Sequence, residues 1–166
     1  MHYQSKNFFS TSLFFLLGII LVVAPIAPTN LNIKTYANLY PDLVTCLIFA
    51  LVINSPKLFP APLVLILCLL SDILLMRPIG LYCALLFLIT EIIRGYHRFI
   101  IREGFLRHIL IFSVCLLVLQ CMNILLHKLF FIPLPDFILV IKQLFLTIIV
   151  YPVFDFPLKF FLKKEK

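Results

Sequence analysis

Long apolar runs separated by short polar breaks dominate this chain, and they leave it few folds. A helix crossing about 30 Å of hydrocarbon needs about 20 residues, within a range near 17–25. Five segments meet that length: Phe8–Ala27, Leu58–Met76, Ile79–Tyr96, His108–Leu129 and Phe137–Leu158. A sixth, Tyr40–Ile53, is cut short by Asn54-Ser55-Pro56-Lys57 and reaches full length only if it begins near Tyr36. Composition points the same way. Of 166 residues, 63% are apolar and 13% charged, where a soluble domain carries about 25% charged residues. Too little polar surface remains to cover a water-facing globule. The predicted fold is an all-α polytopic membrane protein, one domain over residues 1–166 with about six transmembrane helices near 8–27, 40–53, 58–76, 79–96, 108–129 and 137–158.

Breakers and charge mark the connections: Pro28–Asn38, Asn54–Lys57, Arg77-Pro78, Arg94–Arg107 and Phe130–Asp136. The prolines flank helices or fall in first turns, where a missing N–H is harmless. Pro152 and Pro157 are the exceptions. They predict a kink near one end of the last helix, or an earlier stop followed by an amphipathic tail. The first run follows Lys6 and could be read as a secretory signal, but it is longer than a signal core and Pro25-Ile26-Ala27-Pro28 is a poor cleavage site. A retained first span is the expectation.

The net charge of +7 is informative through its placement, and is not read as a nucleic-acid footprint. With the N-terminus inside, Lys6, Lys57, Arg94, Arg98, Arg102, Arg107, Lys159, Lys163, Lys164 and Lys166 fall on the cytoplasmic side, against Lys34, Arg77 and Lys128 outside. Basic residues favour the cytoplasmic loops, so both ends are expected in the cytoplasm. A re-entrant hairpin over Tyr40–Met76 would change the side of Lys57 alone.

Ionisable groups at membrane depth cost about 2.5–3.5 kcal/mol on insertion scales, so each needs a reason. Asp72, in Leu70-Ser71-Asp72-Ile73-Leu74, reads either as a proton or cation site or as a buried partner that fixes helix packing, with Arg77 or Ser71 at hand. Glu91, Arg94 and Arg98 share a face by their spacing and read as a snorkelling network or a docking patch. Asp155 and Lys159, four apart, are expected to pair. Asp42, after Pro41, suits a helix N-cap. Gln120 and Asn123 are placed for hydrogen bonds between helices, and His127, on the same face as Asn123, is placed to join that network. The five cysteines, Cys46, Cys68, Cys83, Cys115 and Cys121, form no C-x-x-C or Cys/His spacing and read as inert apolar residues.

No G-x-S-x-G, H-E-x-x-H, Walker or dinucleotide-binding glycine pattern occurs, so no enzyme, cofactor or metal is expected. An intramembrane aspartyl protease would have to join Asp72 and Asp155, which the span assignment sets about 20 Å apart. A dyad needs its carboxylates near contact.

One stretch carries a more specific pattern. Pro41-Asp42-Leu43 opens a span. Pro56 and Pro60-Ala61-Pro62 precede the next, which holds Ser71-Asp72-Ile73-Leu74, and Arg77-Pro78-Ile79-Gly80-Leu81 with Ala84 follows. This resembles the bacterial rod shape-determining protein MreD family over about a third of the chain. The remainder is similar in hydropathy and span spacing. The family usually has Gly four residues before the aspartate, where this chain has Cys68. The resemblance implies a non-enzymatic component of the cell-wall elongation machinery in the bacterial inner membrane. Such a protein binds the bitopic partner MreC and, through it, the MreB filament and peptidoglycan synthases. The family is also similar in layout to the substrate-binding S-components of energy-coupling-factor vitamin transporters, which keeps small-molecule uptake as the alternative. A scaffold needs a groove of small residues for a partner helix and basic inner loops for cytoplasmic partners or anionic lipids. The candidates are Cys68, Ser71, Asp72, Gly80, Cys83 and Ala84 for the groove, with Asp72 fixing helix contact and Gly80 letting the backbones approach closely, and Arg94, Arg98, Arg102 and Arg107 for the basic face.

Overall fold

A computed structural model describes residues 2–23, 41–56, 59–74, 78–100, 104–131 and 136–163, with backbone only at 2–10, 22–23, 98 and 160–163. Its elements are six helices: α1 (His2–Val23), α2 (Leu43–Asn54), α3 (Ala61–Leu74), α4 (Leu81–Ile100), α5 (Phe105–Leu129) and α6 (Phe137–Lys163). No strand occurs among the described residues.

The shortest of these helices, α2, lies at the centre. Every residue of α2 from Val44 to Ile53 is buried, as the unbroken Leu43–Ile53 apolar sequence demands of a helix with no polar face. The helices α1, α3, α4 and α6 all pack against it. Its 12 residues rise about 18 Å, less than the thickness of a hydrocarbon core. Tyr36, from which the sequence would extend this span, lies outside the described residues. An aromatic stack seals the far side of α2. Phe112 of α5 meets Phe49 edge-on at 5.2 Å and stacks on Tyr151 of α6 at 3.9 Å.

Side-chain bonds at the helix ends fix the relative directions. At one end, the Asp42 N–H donates to Thr147 Oγ1 and the Tyr82 hydroxyl donates to Asp42. At the other, Asn54 donates to Asp155. The helices α2, α4 and α6 therefore run parallel, with α2 and α4 beginning together beside Thr147, in the middle of α6. Asp72, near the end of α3, bonds to the start of α4, while Phe59, just before α3, meets Arg94 far along α4. His108 of α5 faces Asp155. So α3 and α5 begin where the other three finish.

The outer faces carry a pattern that water does not tolerate. Residues 105–129 and 137–159 are long and apolar enough to cross a membrane, and only 22% of each apolar window is buried. A soluble core helix of that composition would be mostly enclosed. Instead Leu106, Leu110, Val114, Leu117, Leu125 and Leu129 line the exterior of α5, and Ile138, Phe145, Ile149, Val153 and Phe156 that of α6.

Several element bounds differ from the sequence reading. The first helix begins at His2 where residue 8 is expected, α3 begins at Ala61 where 58 is expected, and α4 covers 81–100 in place of 79–96; residues 24–27 and 75–76 lie outside the described ones. The last helix continues through Pro152 and Pro157 to Lys163, so its early termination does not hold. Each proline lacks one N–H, yet Tyr151, Asp155 and Leu158 are buried on either side, and their packing holds the turns.

Candidate functional site

Each of three buried acids serves a junction between elements. Asp42 closes the N-terminus of α2, its Oδ1 accepting from the Thr45 N–H at 3.1 Å. Its Oδ2 accepts from the Tyr82 hydroxyl at 2.9 Å. Tyr82 thereby donates its single proton to Asp42, and the 3.2 Å contact with Thr45 Oγ1 has Thr45 as donor. Thr147 accepts from the Asp42 N–H at 3.0 Å and donates back to the Gln143 carbonyl at 2.7 Å. Asp42 thus joins α2 to α4 through its carboxylate and to α6 through its backbone N–H.

Asp72 is fully buried and does for α4 what Asp42 does for α2. Its Oδ2 accepts the Gly80 and Cys83 N–H groups at 3.1 and 3.2 Å, donors that a helix start leaves without intrahelical partners. A negative charge is also favoured there by the helix dipole. Arg77, the pairing partner considered from sequence, lies outside the described residues, and Ser71 donates to the Cys68 carbonyl instead. Asp155, at the opposite end of the bundle, accepts from Asn54 at 2.7 Å and stands 3.6 Å from His108 and 4.0 Å from Lys159. Asp72 and Asp155 are thus engaged at two different ends, which leaves no geometry for a shared aspartyl dyad.

The small-residue groove expected from sequence divides in two. Cys68, Ser71, Asp72 and Cys83 are buried between α3 and α4, so they hold the helix pair together and present nothing outward. Ala84 is exposed and lines an open apolar groove of about 560 Å³ with Pro78, Ile79, Leu81, Leu85, Leu88, Leu126 and Phe130. Gly80 does not serve close approach. A Cβ there would meet nothing within 4 Å, and the residue has φ +86°, a left-handed conformation that Gly adopts without steric cost. The glycine at a crowded contact is Gly18, where a Cβ would stand 2.9 Å from the Leu67 methyls.

Of the basic residues, Arg94 turns inward to donate to the Phe59 carbonyl at 3.0 Å and pairs with Glu91 at 3.5 Å. Arg107 is exposed; the Arg98 side chain and Arg102 lie outside the described residues. His127 Nδ1 donates to the Asn123 carbonyl one turn back. All five cysteines are free, and no metal-ligand cluster occurs among the described residues. Sequence reading missed the joining roles of Tyr82, Thr147, Asn54 and His108. Their signal was polar groups inside apolar runs at matching depths: the predicted topology already put His108, Asn54 and Asp155 at the same membrane face. Compared with protein-family models, curated proteins and solved structures, the chain matches none.

Proposed function

We propose that this protein is a non-enzymatic scaffold of six transmembrane helices in the bacterial inner membrane, with both ends cytoplasmic. It maintains rod shape by binding a bitopic partner of the MreC type, and through it the MreB filament and peptidoglycan synthases. The observation that carries the reading is the open apolar groove between α4 and α5, because its walls include Pro78, Ile79, Leu81 and Ala84, the segment on which the MreD resemblance rests. Small residues beside a lipid-exposed apolar groove suit a transmembrane partner helix, which gains van der Waals contact there without desolvating polar groups. The apolar exteriors of α5 and α6 support a lipid surrounding. The alternation of helix directions suits N-in, C-in insertion with the connection between α4 and α5 inside.

The interior supports a scaffold over a carrier or a protease. Buried α2 fills the centre with Phe49 packed on Phe112 and Tyr151, and the three buried acids are engaged in joining helices. Photo-crosslinking from Ala84 and Leu88 in cells tests the proposal, with Ile149 on the outer face of α6 as control. An adduct with a single-span protein from the groove positions, together with loss of rod form on depletion, is expected. Unchanged cell width after depletion would count against it. Tight binding of a vitamin-like molecule by such a shape-neutral protein would instead favour small-molecule uptake.

A further inference from the structure

Lys142 is a charge that the bundle does not use. It is the single charged residue between Phe137 and Phe154 of α6. Its side chain is exposed on the outward face with Ile138, Ile141, Phe145, Leu146 and Ile149. No acid stands three or four residues away along the helix, the spacing at which helix charges pair. No ion pair reaches it among the described residues. An isolated cation on a hydrocarbon-facing surface is costly, so an anion from outside the chain has to meet it.

Two features identify that anion. The first is depth. Lys142 lies six residues past Asp136, the exposed residue before α6, a rise of about 9 Å. A flexible four-carbon stem lets an ammonium at that depth reach the headgroup level while its methylenes stay in the apolar layer. The second is the shape of the face. Its neighbours are all large, and it lacks the small residues that let another helix approach closely. Lipid fits this surface where a partner helix does not. The charges described at this end of the α5–α6 pair are Lys128, Lys142 and Asp136, all exposed, so the end is net positive.

We propose that Lys142 binds the phosphate of an anionic phospholipid, whose chains lie along the outer face of α6 beside Phe145 and Ile149. In the orientation proposed above, this lipid belongs to the outer leaflet. The inference rests on α6 spanning a bilayer, and on no partner or cell-shape role.

The chain contains no Trp, so a single introduced indole reports its own surroundings. Phe145→Trp puts one a turn from Lys142 on the same face, and Val114→Trp puts a control on the outer face of α5. Full-length protein is reconstituted in phosphatidylcholine vesicles that contain phosphatidylglycerol, with one or the other lipid carrying bromine on its chains to quench nearby indoles. Phosphatidylglycerol should be enriched about fivefold at Phe145→Trp, the factor that one lysine contributes near an anionic lipid surface, and not at Val114→Trp. Adding Lys142→Gln should abolish the enrichment, and Lys142→Arg should keep it. Equal quenching by the two lipids at Phe145→Trp overturns the proposal and leaves the bilayer-spanning reading intact, as does an enrichment that persists with Lys142→Gln. An indole quenched by neither lipid would overturn both. The comparison of the two lipids is made with Lys142 in place, so it decides the matter even if Lys142→Gln fails to fold.

Discussion

At the residue scale, the polar groups act chiefly as fasteners, and their value follows from what each leaves unpaired when removed. Replacing Asp72 by Ala strips the acceptor from two N–H groups at the start of α4. Leaving buried donors unsatisfied costs about 1–3 kcal/mol, so Asp72→Ala should lower unfolding free energy by that amount in a detergent denaturation series. Gly80→Ala meets no clash but must hold φ +86°, and a cost of about 1 kcal/mol is expected from backbone strain alone. Asp42 could be read as a cap directly from Pro41-Asp42, since its main acceptor role lies three residues ahead. The partners of Asp72 lie 8 and 11 residues on, across a connection, and sequence offered only Ser71 and Arg77. Local hydrogen bonds are written in spacing; those that cross a turn depend on how the turn folds back.

Elements differ most between the helix everything surrounds and the helices that face outward. The α2 ring of Phe49 is fully buried against Phe112, so Phe49→Ala should cost about 3–5 kcal/mol, as deletions of buried aromatic rings do. Phe145, 66% exposed on α6, should change stability by no more than about 0.5 kcal/mol when cut to Ala. Thermal unfolding of the two variants side by side checks the contrast. Hydropathy alone rated the two segments in the opposite sense, making Tyr40–Ile53 the marginal span and the last helix a secure one. Uniformly apolar helices look alike in sequence whether lipid or protein surrounds them. Helix α6 also shows why breakers mislead here: packing around Tyr151 and Asp155 carries it through two prolines that would end an isolated helix.

For the whole molecule, the placement of charge and the alternation of helices lead to one prediction. A reporter fused after Lys166 should be active on the cytoplasmic side, and protease protection of the fusion in intact cells checks it; a periplasmic fusion would reverse the proposed loop map. The helical class, the apolar exterior and the approximate position of most helices follow from the sequence, because run length and polarity are set residue by residue and the solvent must match them. Asp155 with Lys159, and Glu91 with Arg94, were legible for the same reason, being neighbours on a single helix surface. Tertiary structure decided which helix became the centre. It turned Cys68, Ser71 and Cys83 inward and left Ala84 on an open groove, and it brought His108 and Asn54 to Asp155. Those outcomes depend on how each helix rotates about its axis and on which helices meet, and so apolar a sequence encodes that weakly: where most helix faces are apolar, shape complementarity and a few polar contacts choose among packings that hydrophobicity leaves nearly equal.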